Sequence, residues 1–193
     1  DPPLGGPHDA TSLLVVFTSV ARHRDDIRNR KRKELLRSHL LEQYEIFRKD
    51  TISLCLRAAE IQGGYRFDHE TKKELIHFKK FRKAFTGDFK QRWYDVVNGI
   101  QHNEEILKDI LAQCDIFAQQ VSYALNNLII DDDNSLGVLT RVSQRPFLVK
   151  HWIASSGDPA RYVGGYLFEV LAMYSFASGP LEEDFIEKAI RKL

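Results

Sequence analysis

The sequence predicts an all-α protein, an antiparallel helical bundle with one long N-terminal helix. Three observations lead there. Ala10 to Gln62 contains neither Gly nor Pro, and Gly63-Gly64 then closes the run as a helix stop does. Apolar side chains recur at spacings of three and four through most later segments. No stretch alternates with period two for long enough to define a sheet, and there is no internal repeat.

Residues 1–11, which include Asp-Pro-Pro-Leu-Gly-Gly-Pro, are expected as a flexible Pro/Gly-rich lead-in, and 12–193 as a single helical domain. If Ala10 to Gln62 is one helix, it extends about 75–80 Å at ~1.5 Å per residue. Its pattern changes along the way. Leu13 to Ala21 is apolar, but far short of the roughly 20 residues that cross a bilayer. Between Arg22 and Glu34 the only large apolar side chain is Ile27, so this part has no face to bury. From Leu36 the apolar positions are Leu36, Leu40, Tyr44, Phe47, Leu54, Ala58 and Ile61, with Thr51 as the polar step, which predicts a helix packed along most of its length.

A second helical region starts near Asp68, an N-cap with Thr71 and Glu74 beyond it. Phe78, Phe81, Phe85, Phe89 and Trp93 then form one aromatic stripe, interrupted by Thr86-Gly87. Asn98-Gly99 is read as the next break. Beyond it Ile106, Leu107, Ile110, Leu111, Cys114, Phe117, Ala118, Val121, Leu125 and Leu128 make a continuous apolar band, the cleanest helix in the chain. Asp131 to Ser135 reads as a turn and N-cap, followed by a short helix from Leu136 and a separate piece around Pro146 reaching Trp152. After the break at Ser155 to Pro159, Tyr162 to Phe176 is apolar almost all round and is expected as a central buried helix. Its Gly164-Gly165 would admit a neighbouring backbone. Gly179-Pro180 separates it from an amphipathic C-terminal helix built on Leu181, Phe185, Ile186, Ala189 and Ile190.

The composition excludes disordered, collagenous and disulfide-stapled chains: 43% of the 193 residues are apolar and only two are Cys. Cys55 and Cys114 lie in apolar helical patterns and read as reduced core residues, which points to a cytoplasmic setting. The chain opens on Asp1 rather than Met, so it is expected to be a processed or excised product, from which a signal peptide could already have been trimmed. The net charge of +1 hides an asymmetry, since residues 1–95 hold 20 basic and 14 acidic side chains against 8 and 13 in 96–193.

The basic excess concentrates in Arg22, Arg24, Arg28, Arg30, Lys31, Arg32, Lys33 and Arg37, opposed by Asp25, Asp26 and Glu34. Such a cluster suits phosphates, and an apolar run followed by Lys and Arg matches the cytoplasmic flank of a membrane anchor. Leu13 to Ala21 reads first as a short strand or the first turns of a helix packing on the body, and the basic cluster as a solvated charged face. The functional expectation set beside these is that residues 12–35 form a protruding, membrane-proximal segment facing anionic lipid or an acidic partner at the inner face of a membrane. Nucleic acid is the lesser alternative. A second basic stretch, from Lys72 to Arg92, interleaves lysines with the aromatic stripe. Its rings share one helical face, so they are expected in the core with the lysines on the wet side.

No nucleophile motif, phosphate loop or metal spacing is present, and no cofactor or metal is expected. Glu74-x-x-His77 lacks the second copy that a di-metal site needs. Glu169, an acid in an apolar helix, is expected in a solvated stripe or an interhelical ion pair. The alternative is an enzyme pocket formed with Tyr162, Tyr166 and Tyr174. A non-enzymatic interaction domain is the leading expectation. Its partner would be another protein or a second copy, attracted through the opposite charges of the two halves or the stripe from Leu36.

Overall fold

The structure, a computed structural model, describes residues 8–64, 66–86, 90–155, 157–175 and 179–193. The Pro/Gly-rich opening up to Pro7 and Phe89 of the aromatic stripe lie outside the described residues. Contacts divide the chain into two units, Asp1–Leu36 and Arg37–Leu193. The protein is all-α and bundle-like, as the periodicities predict. Among the described residues there are eight helices: α1 (His8–Gly63), α2 (His69–Leu75), α3 (Phe78–Thr86), α4 (Lys90–Gln101), α5 (Glu104–Asn127), α6 (Asp133–Ser155), α7 (Pro159–Leu171) and α8 (Phe185–Arg191). A two-residue antiparallel ribbon, β1 (Tyr174–Ser175) with β2 (Gly179–Pro180), joins α7 to α8.

Within 37–193, α1 supplies the centre of the core. Leu40, Tyr44, Phe47 and Thr51 occupy one stripe, as the spacing predicts, but Ile52, Cys55, Leu56, Ala58 and Ala59 are buried too. The helix is therefore covered on more than one side beyond Thr51, while Ile61, expected in the stripe, is 50% exposed. Tyr44 and Phe47 stack on Phe117 of α5 with centroids 5.3 and 4.8 Å away. The stripe that would have paired with a second copy is thus covered within the chain. Gly64, with φ +66, takes the left-handed conformation that closes a helix.

Around α1, α5 packs on α6, α6 on α7 and α8, and α4 on α5 and α7. The α5 band is buried at Ile106, Ile110, Cys114, Phe117, Ala118, Val121 and Ala124. Phe81 and Phe85 are fully buried and stack at 4.6 Å, with Trp93 also inside and Phe78 half-buried. Lys79, Lys80 and Lys83 are on the exposed side of α3, as expected.

Three boundaries and one packing contact differ from the sequence reading, each for a physical reason. Asn98-Gly99 is no break: α4 continues to Gln101, and Gly99 is there because Ala58 of α1 presses against it. The chain instead turns at Asn103, whose side chain caps α5 by accepting from Ile106 N at 3.0 Å. The two pieces around Pro146 are one helix, α6, with Pro146 buried inside it; packing overrides the lost backbone bond. The Tyr162–Phe176 helix ends at Leu171, where Met173 takes φ 52 and starts the ribbon. Of the glycine pair in α7, only Gly164 has a close neighbour, and that neighbour is the Val97 side chain.

Asp132 caps α6. It accepts from Ser135 Oγ at 2.6 Å and Ser135 N at 2.8 Å, and Lys192 Nζ donates to it at 3.0 Å. The Ser135 hydroxyl first, then Lys192, hold its carboxyl at about 2, below the ordinary carboxylate value. The stabilisation is present above the unfolded value and disappears as pH falls through about 2. An NMR titration of the Asp132 carboxyl should give that low midpoint, and Lys192→Ala should raise it.

Candidate functional site

The basic segment belongs to the first unit as far as Leu36. Arg24, Arg28, Arg30, Lys31 and Arg32 are exposed and Lys33 is half-buried; the Arg22 side chain lies outside the described residues. At 100° per residue, Arg24, Arg28 and Lys31 share one face with Ile27 and Leu35. Ile27 is 43% exposed and Leu35 71%. This face therefore combines cations with exposed apolar side chains, the combination found on helices that lie in a membrane interface. Arg37, the last of the expected cluster, is half-buried and falls in the second unit. Among the described residues no helix is long and apolar enough to cross a membrane.

Glu169 is brought together with Tyr166 but not with Tyr162 or Tyr174. Glu169 is half-buried on α7, 4.0 Å from the Arg145 guanidinium of α6, which is an interhelical ion pair. A cavity of only about 90 Å³ beside it is lined by Tyr166, Arg145 and Phe185, among others. Tyr166 is buried, and burial pushes its phenol well above the usual value. Tyr162 is exposed, its ring 5.7 Å from that of Trp152, and Tyr174 lies at a separate cleft.

That cleft, within the second unit, has a volume of about 1130 Å³. One wall is α3, presenting His77, Lys79, Arg82 and Lys83; the floor is Phe168, Ala172, Met173 and Tyr174. The other wall is the segment from Glu182 through α8. At its base Arg48 Nη1 donates to Asp184 at 2.8 Å, while its guanidinium lies 4.9 Å over Phe78 and 4.6 Å over Tyr44. Tyr44 Oη donates to both Asp184 oxygens at 3.0 and 3.1 Å. Arg82 ties the α3 wall to the floor, donating to the Leu181 carbonyl at 2.8 Å and to Met173 Sδ at 3.5 Å.

The charges of the two walls differ in kind. On the α8 side Lys188 pairs with Glu183 at 2.6 Å and Arg191 with Glu187 at 2.7 Å, so that wall is largely neutralised internally. Lys79 and Lys83 have no acidic partner among the described residues. The sequence placed these lysines on a wet face. It carried no signal that the C-terminal helix would stand opposite them and turn that face into one side of a cleft.

Cys55 and Cys114 are buried, and burial drives both thiols up, Cys114 to about 12, which leaves them poor nucleophiles. Among the described residues no three His, Cys, Asp or Glu side chains are grouped to hold a metal ion. Comparison with protein-family models, with curated proteins and with solved structures finds no match of any of the three kinds.

Proposed function

We propose that the protein is a helical interaction domain of a membrane-associated assembly. The segment Arg24 to Leu35 lies against the anionic headgroups of a cytoplasmic membrane face. The carrying observation is the exposed side of α1 on which Arg24, Arg28 and Lys31 share a face with Ile27 and Leu35. A basic segment that packs on its own domain would bury such apolar residues. One that meets lipid can place them at the acyl boundary while its cations reach phosphate.

The magnitude suits reversible docking. At about 1 kcal/mol per Lys or Arg near an anionic surface, the net excess of three charges between Arg24 and Leu35 gives ~3 kcal/mol at low salt. That corresponds to a dissociation constant of roughly 5–10 mM, enough to support an anchor or a second contact but not to replace one. Screening over a Debye length of about 10 Å at 0.1 M salt should weaken it further.

Co-sedimentation with vesicles tests the reading. The chain should pellet with phosphatidylserine-containing vesicles at low salt, remain in solution with pure phosphatidylcholine, and be released as salt rises. Equal pelleting with both vesicle types, or none with either, would remove the lipid reading. In the second case, retention on an acidic protein or on DNA would reassign the segment to that partner.

A further inference from the structure

We propose that the cleft between α3 and α8 docks an acidic amphipathic helix of a protein partner. Three features on its walls point to that occupant. The first is surplus charge on one wall only. Seven Lys and Arg line the cleft against four Asp and Glu. Glu183, Asp184 and Glu187 are already held by Lys188, Arg48 and Arg191 and Lys192 by Asp132. Glu182 is exposed on the α8 side, whereas on the α3 wall Lys79 and Lys83 face a ligand with no acid beside them among the described residues. These two stand one turn apart on α3, about 6 Å along its axis, the spacing of two carboxylates at i and i+4 on a facing helix.

The second feature is the floor. Phe168 and Tyr174, with ring centroids 5.4 Å apart, and the half-buried Phe78 offer an apolar surface between the charged walls. An occupant must then be apolar on one side and acidic on the other. The third is size and shape: about 1130 Å³ in an open trough exceeds the volume that encloses a small molecule and accommodates a few helical turns laid lengthwise. Met173, held with φ 52 and fixed by Arg82 and by the bond from Leu181 N to its carbonyl at 2.8 Å, shapes the end of the floor. A buried non-glycine residue in the left-handed region persists only where the surroundings impose it.

A random dodecapeptide library displayed on phage, selected on the full chain, tests this without a named partner. Selected clones should combine Asp or Glu at i, i+4 spacing with Leu, Ile or Phe. They should bind at least about tenfold more weakly to Lys79→Glu/Lys83→Glu, since each tenfold is ~1.4 kcal/mol and a reversed charge repels. Both lysines are exposed, and an unchanged circular dichroism spectrum should confirm that the double variant folds. Backbone amide shifts on adding a synthetic selected peptide should map to α3, Phe168 to Tyr174 and α8. Selection without acidic enrichment, or clones that bind the double variant equally well, would overturn the proposal. So would loss of phosphatidylserine-vesicle binding in Lys79→Glu/Lys83→Glu, which would assign these lysines to lipid. Because the vesicle reading rests on Arg24, Arg28 and Lys31, the two proposals fail separately.

Discussion

Gly99→Ala should unfold the protein at markedly lower temperature, although the same change in an ordinary helix interior stabilises by about 0.5–1 kcal/mol. A Cβ built on Gly99 lies 2.0 Å from the Ala58 carbonyl oxygen, 2.5 Å from its carbon and 2.9 Å from its Cα. All three are backbone atoms of α1, so no side chain can rotate away. α4 must instead move off α1, opening the contacts around Val96 and Ile100, both fully buried. Overpacking of this kind costs about 3 kcal/mol or more, out of a typical 5–15 kcal/mol, and should lower Tm by roughly 10 °C in a chain of this size. Gly137→Ala in α6, with nothing within 4 Å of the new methyl, is the matched control and should raise Tm slightly. Differential scanning calorimetry on the pair reads the sign directly.

Asp184→Ala should be the second severe change. Its carboxylate accepts from Tyr44 and Arg48 and caps α8 through Ile186 N and Glu187 N at 3.1 and 3.0 Å. Losing the cap costs about 1 kcal/mol. Leaving the half-buried Arg48 guanidinium with only Glu187 at 3.7 Å and the buried Tyr44 hydroxyl without its acceptor adds about 2 kcal/mol. The midpoint of urea unfolding should therefore fall with the slope nearly unchanged, and amides in α8 should exchange fastest. Asp184→Asn, which keeps an acceptor oxygen for the cap, should cost clearly less.

How far the sequence could be read follows from what each residue answers to. Phe81, Phe85 and the α5 band were legible because their burial is set by periodicity along one helix. Asp68, which accepts from Thr71 N at 2.7 Å, was legible because capping is local. Gly99 and Pro146 were misread as punctuation: the first answers to Ala58, 41 positions earlier, and the second sits in a helix maintained by packing. The Arg48–Asp184 pair spans 136 positions and left no local trace. For the candidate sites, the basic segment was visible because charge without an apolar face is a local property. The cleft was invisible because Lys79 and Lys83 matter only once α8 stands across from them. The four-residue grouping around Glu169 divides because Tyr174 falls past the end of α7, in β1, and Tyr162 sits exposed near the start of the helix against Trp152, which leaves Tyr166 as the one tyrosine beside Glu169.

In the proposed membrane docking, the charge of one face of α1, rather than that of the whole chain, carries the interaction. The most direct measurement is partitioning onto phosphatidylserine-containing vesicles across a salt series, for the unaltered chain and for Arg24→Glu/Arg28→Glu/Lys31→Glu. The unaltered chain should bind with an affinity that falls steeply as salt rises, and the triple variant should lose nearly all binding while keeping the same Tm. Equal partitioning of the two proteins, or binding indifferent to salt, would contradict the account.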